Sequence, residues 1–258
     1  MKIKYHSITI FVTDDYETMS KKAANIVAGQ INLKTDSVLG LATGSTPEGM
    51  YQELVHLHEN DDVDFSDIIT FNLDEYYPIS PDNEQSYSYY MNKHLFHKVN
   101  IRRENIHIPS GTVSDIDASC DEYDRQIENY DNIDLQILGI GNNGHIGFNE
   151  PDIKFEAGTH LVDLDEETII ANSRFFDSVD DVPKQAISMG IRNIMHAKKI
   201  VLIANGYVKS EIVKDMIFGP VTPNLPASVI QLHNDATIIL DKEAASALLK
   251  EMTLQGIL

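Results

Sequence analysis

Val38-Leu-Gly-Leu-Ala-Thr-Gly-Ser-Thr-Pro47 is a short apolar run that ends in glycine, hydroxyls and a proline, and the helix-like segment Glu48–His58 follows at once. The run lacks polar alternation, so the strand it predicts is buried on both faces, the mark of a parallel sheet. The same unit recurs along the chain. Apolar runs at Ile8–Thr13, Ile68–Leu73, Leu135–Ile140, Ile200–Ala204 and Thr237–Leu240 predict further strands. Helices are expected over Tyr16–Gln30, Gln85–Phe96, Ile116–Glu128, Gln185–Met195, Val208–Ile217 and Glu243–Met252. Such alternation predicts a three-layer α/β fold, a mostly parallel sheet with helices on both faces. No repeat, low-complexity tract or Pro/Ser-rich linker divides residues 1–258, so a single domain is expected. Its least regular stretch, 151–181, reads as a flap.

The bulk numbers narrow the class. A chain of 258 residues, 42% apolar and 23% charged, has the composition of a globular protein with a substantial core. No run of 18 apolar residues exists to span a membrane. The opening MKIKYHSITIFVTDDYE turns acidic too early for a signal peptide. Cys120 is the single cysteine, which excludes an internal disulfide and fits a reducing cytoplasm. A net charge of −20 argues against nucleic acid or an anionic membrane as partner. An anionic ligand would therefore need a local positive pocket in a negative protein.

In open parallel sheets, ligands bind beyond the carboxyl ends of the strands, so the informative residues should follow the apolar runs. After Val38–Thr43, Gly44 permits close backbone approach, while Thr43, Ser45 and Thr46 set hydroxyls beside the free amides of a helix start. That is an anion site, or else a plain Ser/Thr cap. After Ile68–Leu73, Asp74 and Glu75 stand where a carboxylate can act as a base, or merely solvate a turn. After Leu135–Ile140 comes Gly141-Asn-Asn-Gly-His-Ile-Gly-Phe-Asn-Glu150, with His145 between Asn143 and Glu150. A histidine oriented by a carboxylate is a recurring acid–base device. Gly139, Gly141 and Gly144 match a dinucleotide fingerprint in spacing, but no helix opens after Gly144. Arg174 and Lys209 are the cations available for an anion pocket. The histidines show no metal-ligand spacing with cysteines or carboxylates.

Taken together, LGLATGSTPEGMY, TFNLDEYYPI, SYSYYM, NIHIPSG, DLQILGIGNNGHIGFNEP, ANSRFF, VPKQAISMGI and Gly206-Tyr-Val-Lys209 make the chain resemble the glucosamine-6-phosphate deaminases. Their wider fold group, Rossmann-like, also holds sugar-phosphate isomerases and 6-phosphogluconolactonases. The resemblance implies a cytoplasmic enzyme without cofactor or metal, monomeric or homo-oligomeric, acting on a small amino-sugar phosphate. Glucosamine 6-phosphate and water would become fructose 6-phosphate and ammonia. By that likeness His145 opens the sugar ring with Asn143 and Glu150 behind it, and Asp74 moves the C2 proton to C1. Thr43, Gly44, Ser45, Thr46, Arg174 and Lys209 hold the sugar phosphate. Galactosamine 6-phosphate is the rival substrate, and a non-catalytic sugar-phosphate sensor the rival class. Two departures stand out. Asn143 occupies a position where some family members carry aspartate, so His145 is expected to rely more on Glu150. After Pro151, Lys154 is the one basic residue where effector-activated hexameric members have Ser, Arg and Lys, so hyperbolic kinetics are expected.

Overall fold

The computed structural model describes all of residues 1–258. At one edge β1 (Lys2–Tyr5) and β2 (Ile8–Thr13) form an antiparallel hairpin. From there α1 (Tyr16–Leu33) leads to β3 (Val38–Leu41), and α2 (Glu48–Glu59) to β4 (Ile69–Asn72). The chain continues through β5 (Asp74–Tyr77), α3 (Tyr87–His94) and the two-residue β6 (Ile106–His107). It returns through α4 (Ile116–Asn129) to β7 (Leu135–Leu138), then β8 (His160–Asp163), α5 (Glu166–Asn172), β9 (Gln185–Ser188) and α6 (Ile191–His196). It closes with β10 (Ile200–Ala204), α7 (Ser210–Phe218), β11 (Ala236–Asp241) and α8 (Ser246–Leu254).

Eight strands pair in the order β1-β2-β11-β10-β7-β3-β4-β6, parallel throughout except for the edge hairpin. The β2–α1–β3 and β3–α2–β4 crossovers step toward the β6 edge, and those from β6, β7 and β10 step back. Right-handed crossovers therefore place α1, α2 and α3 on one face, and α4, α6 and α7 on the other. Helix packing agrees: α1 touches α2, α2 touches α3, and α7 touches α8. The buried stripe of α1, Met19, Ala23, Ala24, Val27 and Ile31, follows the helical period and meets the sheet's continuous apolar rows. β3, β7 and β10 are buried at every position, which explains why they lack polar alternation.

β3 pairs with β7 through Leu39↔Leu135 and Gly40↔Gln136, yet the connections leaving these two strands run in opposite directions. The gap above their carboxyl ends is the topological switch point, where this class of sheet opens a cleft. A second, three-stranded antiparallel sheet, β5-β9-β8, stands at that end with its own small core of Tyr76, Ile79, Phe148, Leu164 and Ala186.

The sequence reading misses β1, β5, β6, β8 and β9, and the helix α5. The helix expected over Gln185–Met195 is in fact strand β9 followed by α6. Gln185–Ser188 fills the gap between β5 and β8, and pairing on both sides outweighs its local helical pattern. The stretch 151–181 carries β8, α5 and two short 3-10 turns, Ser173–Phe175 and Val179–Asp181.

Candidate active site

The turn after β3 is shaped by tyrosines. The hydroxyls of Tyr51, Tyr90 and Tyr16 donate to the carbonyls of Ala42 (2.6 Å), Gly44 (2.7 Å) and Ser45 (3.0 Å). Gly44 sits at φ +99°, a conformation open to glycine without steric cost. With the carbonyls turned away, the amides of Gly44, Ser45 and Thr46 donate to no group of the chain. A row of free N–H groups at the start of α2 is a concavity for an anion. The Thr46 hydroxyl donates to Asn205 Oδ1 at 2.9 Å, beyond β10, and no side chain caps α2.

The loop after β7 forms a tight acid–base unit. Glu150 Oε2 accepts from Asn143 Nδ2 at 2.7 Å and lies 3.1 Å from His145 Nδ1. Thr168 Oγ1, on α5, lies 3.3 Å from the same ring nitrogen. The Glu150 side chain is 8% exposed and that of His145 18%, so the carboxylate backs the imidazole while the ring faces the cleft. Burial raises the Glu150 carboxyl, but His145, Thr168 and Asn143 outweigh it and hold the group below its usual range. The loop is pinned from outside: Phe148 N donates to Ser188 Oγ (3.0 Å), and Asn149 Nδ2 to the carbonyls of Ile146 and Met189 (2.8 Å each). The imidazole lies directly over Gly141, where a Cβ would stand 2.4 Å from His145 Cε1.

Asp74 and Glu75 point to opposite faces of β5, as successive strand residues must. Glu75 turns to the start of α3, where its oxygens accept from Tyr87 N (2.8 Å) and Ser88 N (2.9 Å). Asp74 turns into the cleft, 5% exposed, and its carboxylate accepts no hydrogen bond from the chain. Burial, with the neighbouring Glu75 charge, pushes the Asp74 carboxyl up to about 8.

The cations arrive from two other segments. Arg174 Nη2 donates to Ser45 Oγ at 3.1 Å, and Lys209 Nζ donates to Asn142 Oδ1 at 2.6 Å. Burial, and then Arg174, lower the Lys209 ammonium to about 8, partly opposed by Glu167. Lys209 is placed by the turn at Gly206, whose amide donates to both Asp241 oxygens (3.1 and 3.0 Å) at the end of β11.

These groups enclose one cleft of about 520 Å³ above the β3/β7 switch point. Thr43, Gly44, Ser45, Thr46, Asp74, Asn143, His145, Arg174 and Lys209 all line it, and Glu150 stands behind His145 in its wall. The sequence reading had no place for Asn142, Tyr87, Glu167, Thr168 or Asn205, which line it too. Asn205 follows a predicted strand directly, so the strand-end rule alone finds it. Thr168 and Glu167 lie on a helix that no apolar period announces.

Residues 14–239 match the family described as glucosamine-6-phosphate isomerases/6-phosphogluconolactonase. A curated relative, the glucosamine-6-phosphate deaminase of Clostridium botulinum (strain Kyoto / Type A2), is 58% identical over 239 residues, spanning 93% of this chain and 98% of its own. The chain belongs to this family. The glucosamine-6-phosphate deaminase of Clostridium acetobutylicum is likewise 58% identical, over 93% of this chain and 99% of its own. Among solved structures, a monomeric glucosamine-6-phosphate deaminase superposes with a TM-score of 0.90 at 44% identity, covering 92% of this chain and 99% of that one. A 6-phosphogluconolactonase from Thermotoga maritima superposes at 0.71 with 20% identity, over 91% of this chain and 100% of that one, a likeness of fold alone. The family's mostly parallel, Rossmann-like sheet with helices on both faces is the architecture described above.

Proposed function

We propose that this chain is an enzyme that converts glucosamine 6-phosphate and water to fructose 6-phosphate and ammonia. The 58% identical deaminases support the reaction. The observation that carries the reading is the uncommitted, buried Asp74 carboxylate in the same cleft as the Glu150-backed imidazole and the amides of Gly44–Thr46. In the first step His145 takes the proton of the anomeric hydroxyl and returns it to the ring oxygen as the C1–O bond of the ring breaks. The Glu150 carboxylate, held by Asn143, stabilises the protonated ring between these transfers. Asp74 then takes the C2 proton while O1 takes one from the substrate's own ammonium group, and Asp74 returns its proton to C1 of the resulting enolamine. A base of raised proton affinity is suited to a carbon acid. The resulting C2 iminium adds water and expels ammonia.

The free amides, the hydroxyls of Thr43, Ser45 and Thr46, Arg174 and Lys209 hold the phosphate. That remote anchor fixes C2 against Asp74 and converts binding energy into alignment. Residues 1–258 act as one domain, with 151–181 closing over the cleft. The reaction needs no cofactor or metal and belongs in the cytoplasm. The likeness to a monomeric deaminase supports a monomer.

The test is to incubate purified protein separately with glucosamine 6-phosphate and galactosamine 6-phosphate and measure ammonia and ketose phosphate. Product from glucosamine 6-phosphate alone, or at far higher kcat/KM, is the expected result. Preference for the galacto epimer would reassign the substrate, and product from neither would overturn the reading in favour of a sensor.

A further inference from the structure

Apart from tyrosine, five ionisable side chains line the cleft: Asp74, His145, Glu167, Arg174 and Lys209. Four have a part in the reaction proposed above. Glu167 has none, and a carboxylate is the wrong charge for the end of a cleft that receives a phosphate. It lies on the first turn of α5, where Asp165 Oδ1 caps the helix by accepting Glu167 N at 2.8 Å, so its backbone is fixed. Its carboxylate accepts no hydrogen bond from the chain and makes no ion pair within 4.0 Å. Yet its charge acts on Lys209, opposing the burial and the Arg174 repulsion that drive the ammonium toward neutrality.

We propose that Glu167 is the resident counter-anion of the phosphate clamp: its carboxylate balances Lys209 and Arg174 in the free protein, and the incoming phosphate displaces it. Two cations and one carboxylate leave that end of the cleft one positive charge, where a phosphate dianion calls for two. Because Glu167 is exposed and unpaired, its side chain can swing to solvent while α5 stays in place. Binding then exchanges one anion for another, so ligands that lack a full dianion are disfavoured. Glu167 thus sets selectivity for the doubly charged phosphate at the expense of affinity.

The inference rests on reading Lys209 and Arg174 as the phosphate clamp, and its test separates the two. Glu167→Gln removes the charge and keeps the shape. Glu166→Gln, one residue earlier on the same helix and outside the cleft, removes the same charge from the protein as a whole. Steady-state kinetics with glucosamine 6-phosphate, and binding of inorganic phosphate by calorimetry, are measured for wild type and both variants. For Glu167→Gln the expected result is a fall of roughly three- to tenfold in both KM and the phosphate dissociation constant, with kcat unchanged. Glu166→Gln should match wild type. Unchanged constants in Glu167→Gln, equal changes in both variants, or a raised KM would each overturn the inference. Should wild type make no product from either amino-sugar phosphate, the proposed reaction fails, and calorimetry still decides the role of Glu167.

Discussion

Gly141→Ala is the sharpest probe of the His145 unit, because the three atoms nearest the added Cβ all belong to the imidazole. A Cβ at this position would lie 2.4 Å from His145 Cε1 and 2.5 Å from both ring nitrogens. Non-bonded carbons rest at about 3.5–4.0 Å, so the ring must retreat by about 1 Å. The backbone offers little relief, for Gly141 N donates to His145 O at 2.9 Å and Ala227 N to Gly144 O at 2.9 Å. The ring must rotate instead, breaking its 3.1 Å contact with Glu150. A misplacement of about 1 Å at a catalytic group costs roughly 10²-fold, so kcat should fall by about that factor. Gly141 is not at positive φ, so alanine should not strain the chain there, and reduced freedom in the unfolded state contributes about 0.4–1 kcal/mol against the local clash. The assay pairs ammonia release with thermal denaturation. Activity within threefold of wild type would refute the reasoning, and so would a loss of activity that tracks a large fall in Tm.

Other outcomes follow from the same geometry. Asp74→Asn should lower kcat by at least about 10³-fold with little change in KM. An acid raised in the folded state destabilises it as pH climbs from the unfolded value toward about 8, so the variant's Tm gain should grow steadily from pH 4 to pH 8 by differential scanning calorimetry. Lys209 faces Arg174, Glu167 and Asn142, and as pH rises through about 8 its ammonium is lost, so kcat/KM should decline. Lys209→Arg, charged at all working pH, should remove that alkaline limb. Asn143→Asp replaces a donor 2.7 Å from Glu150 with a second carboxylate, and the acid limb of the pH–rate profile should move upward by roughly half a unit to one unit. An unmoved limb counts against the role given to Glu150. Lys154 is already paired with Glu156 at 2.7 Å, so rates should stay hyperbolic and an N-acetylated amino-sugar phosphate should leave them unchanged. Sigmoidal rates abolished by such an effector would contradict this.

The large sheet is legible in the sequence because its central strands are buried on both faces. Ile200–Ala204 has no polar position to confuse the reading. The small sheet is hidden for the opposite reason. Asp-Glu-Tyr-Tyr of β5 looks like a polar turn, and His-Leu-Val-Asp of β8 is largely half-buried at an edge. Their strand character comes from pairing with β9, which lies more than a hundred residues from β5 and beyond α5 from β8, so no local window registers it. The site divides along the same line. Residues at strand ends, from Thr43 to His145, announce themselves through glycines and hydroxyls in short loops. Thr168 and Glu167 enter the cleft only because β8 delivers α5 to its rim, so chain tracing alone reveals them.

That small sheet does more than support a loop. Asp74 and His160 both pair with Ser188, so the carboxylate proposed to move the proton and the strand leading into α5 share one hydrogen-bonded ribbon. The third strand ends at Asp163, and Thr168 and Glu167 project from the helix just beyond it. The ribbon acts as a ruler: it fixes how far α5 stands from Asp74. Insertions before His160 can change length without altering that span, whereas a one-residue slip between β8 and β9 would turn each paired side chain to the other face and carry α5 out of register with the floor of the cleft.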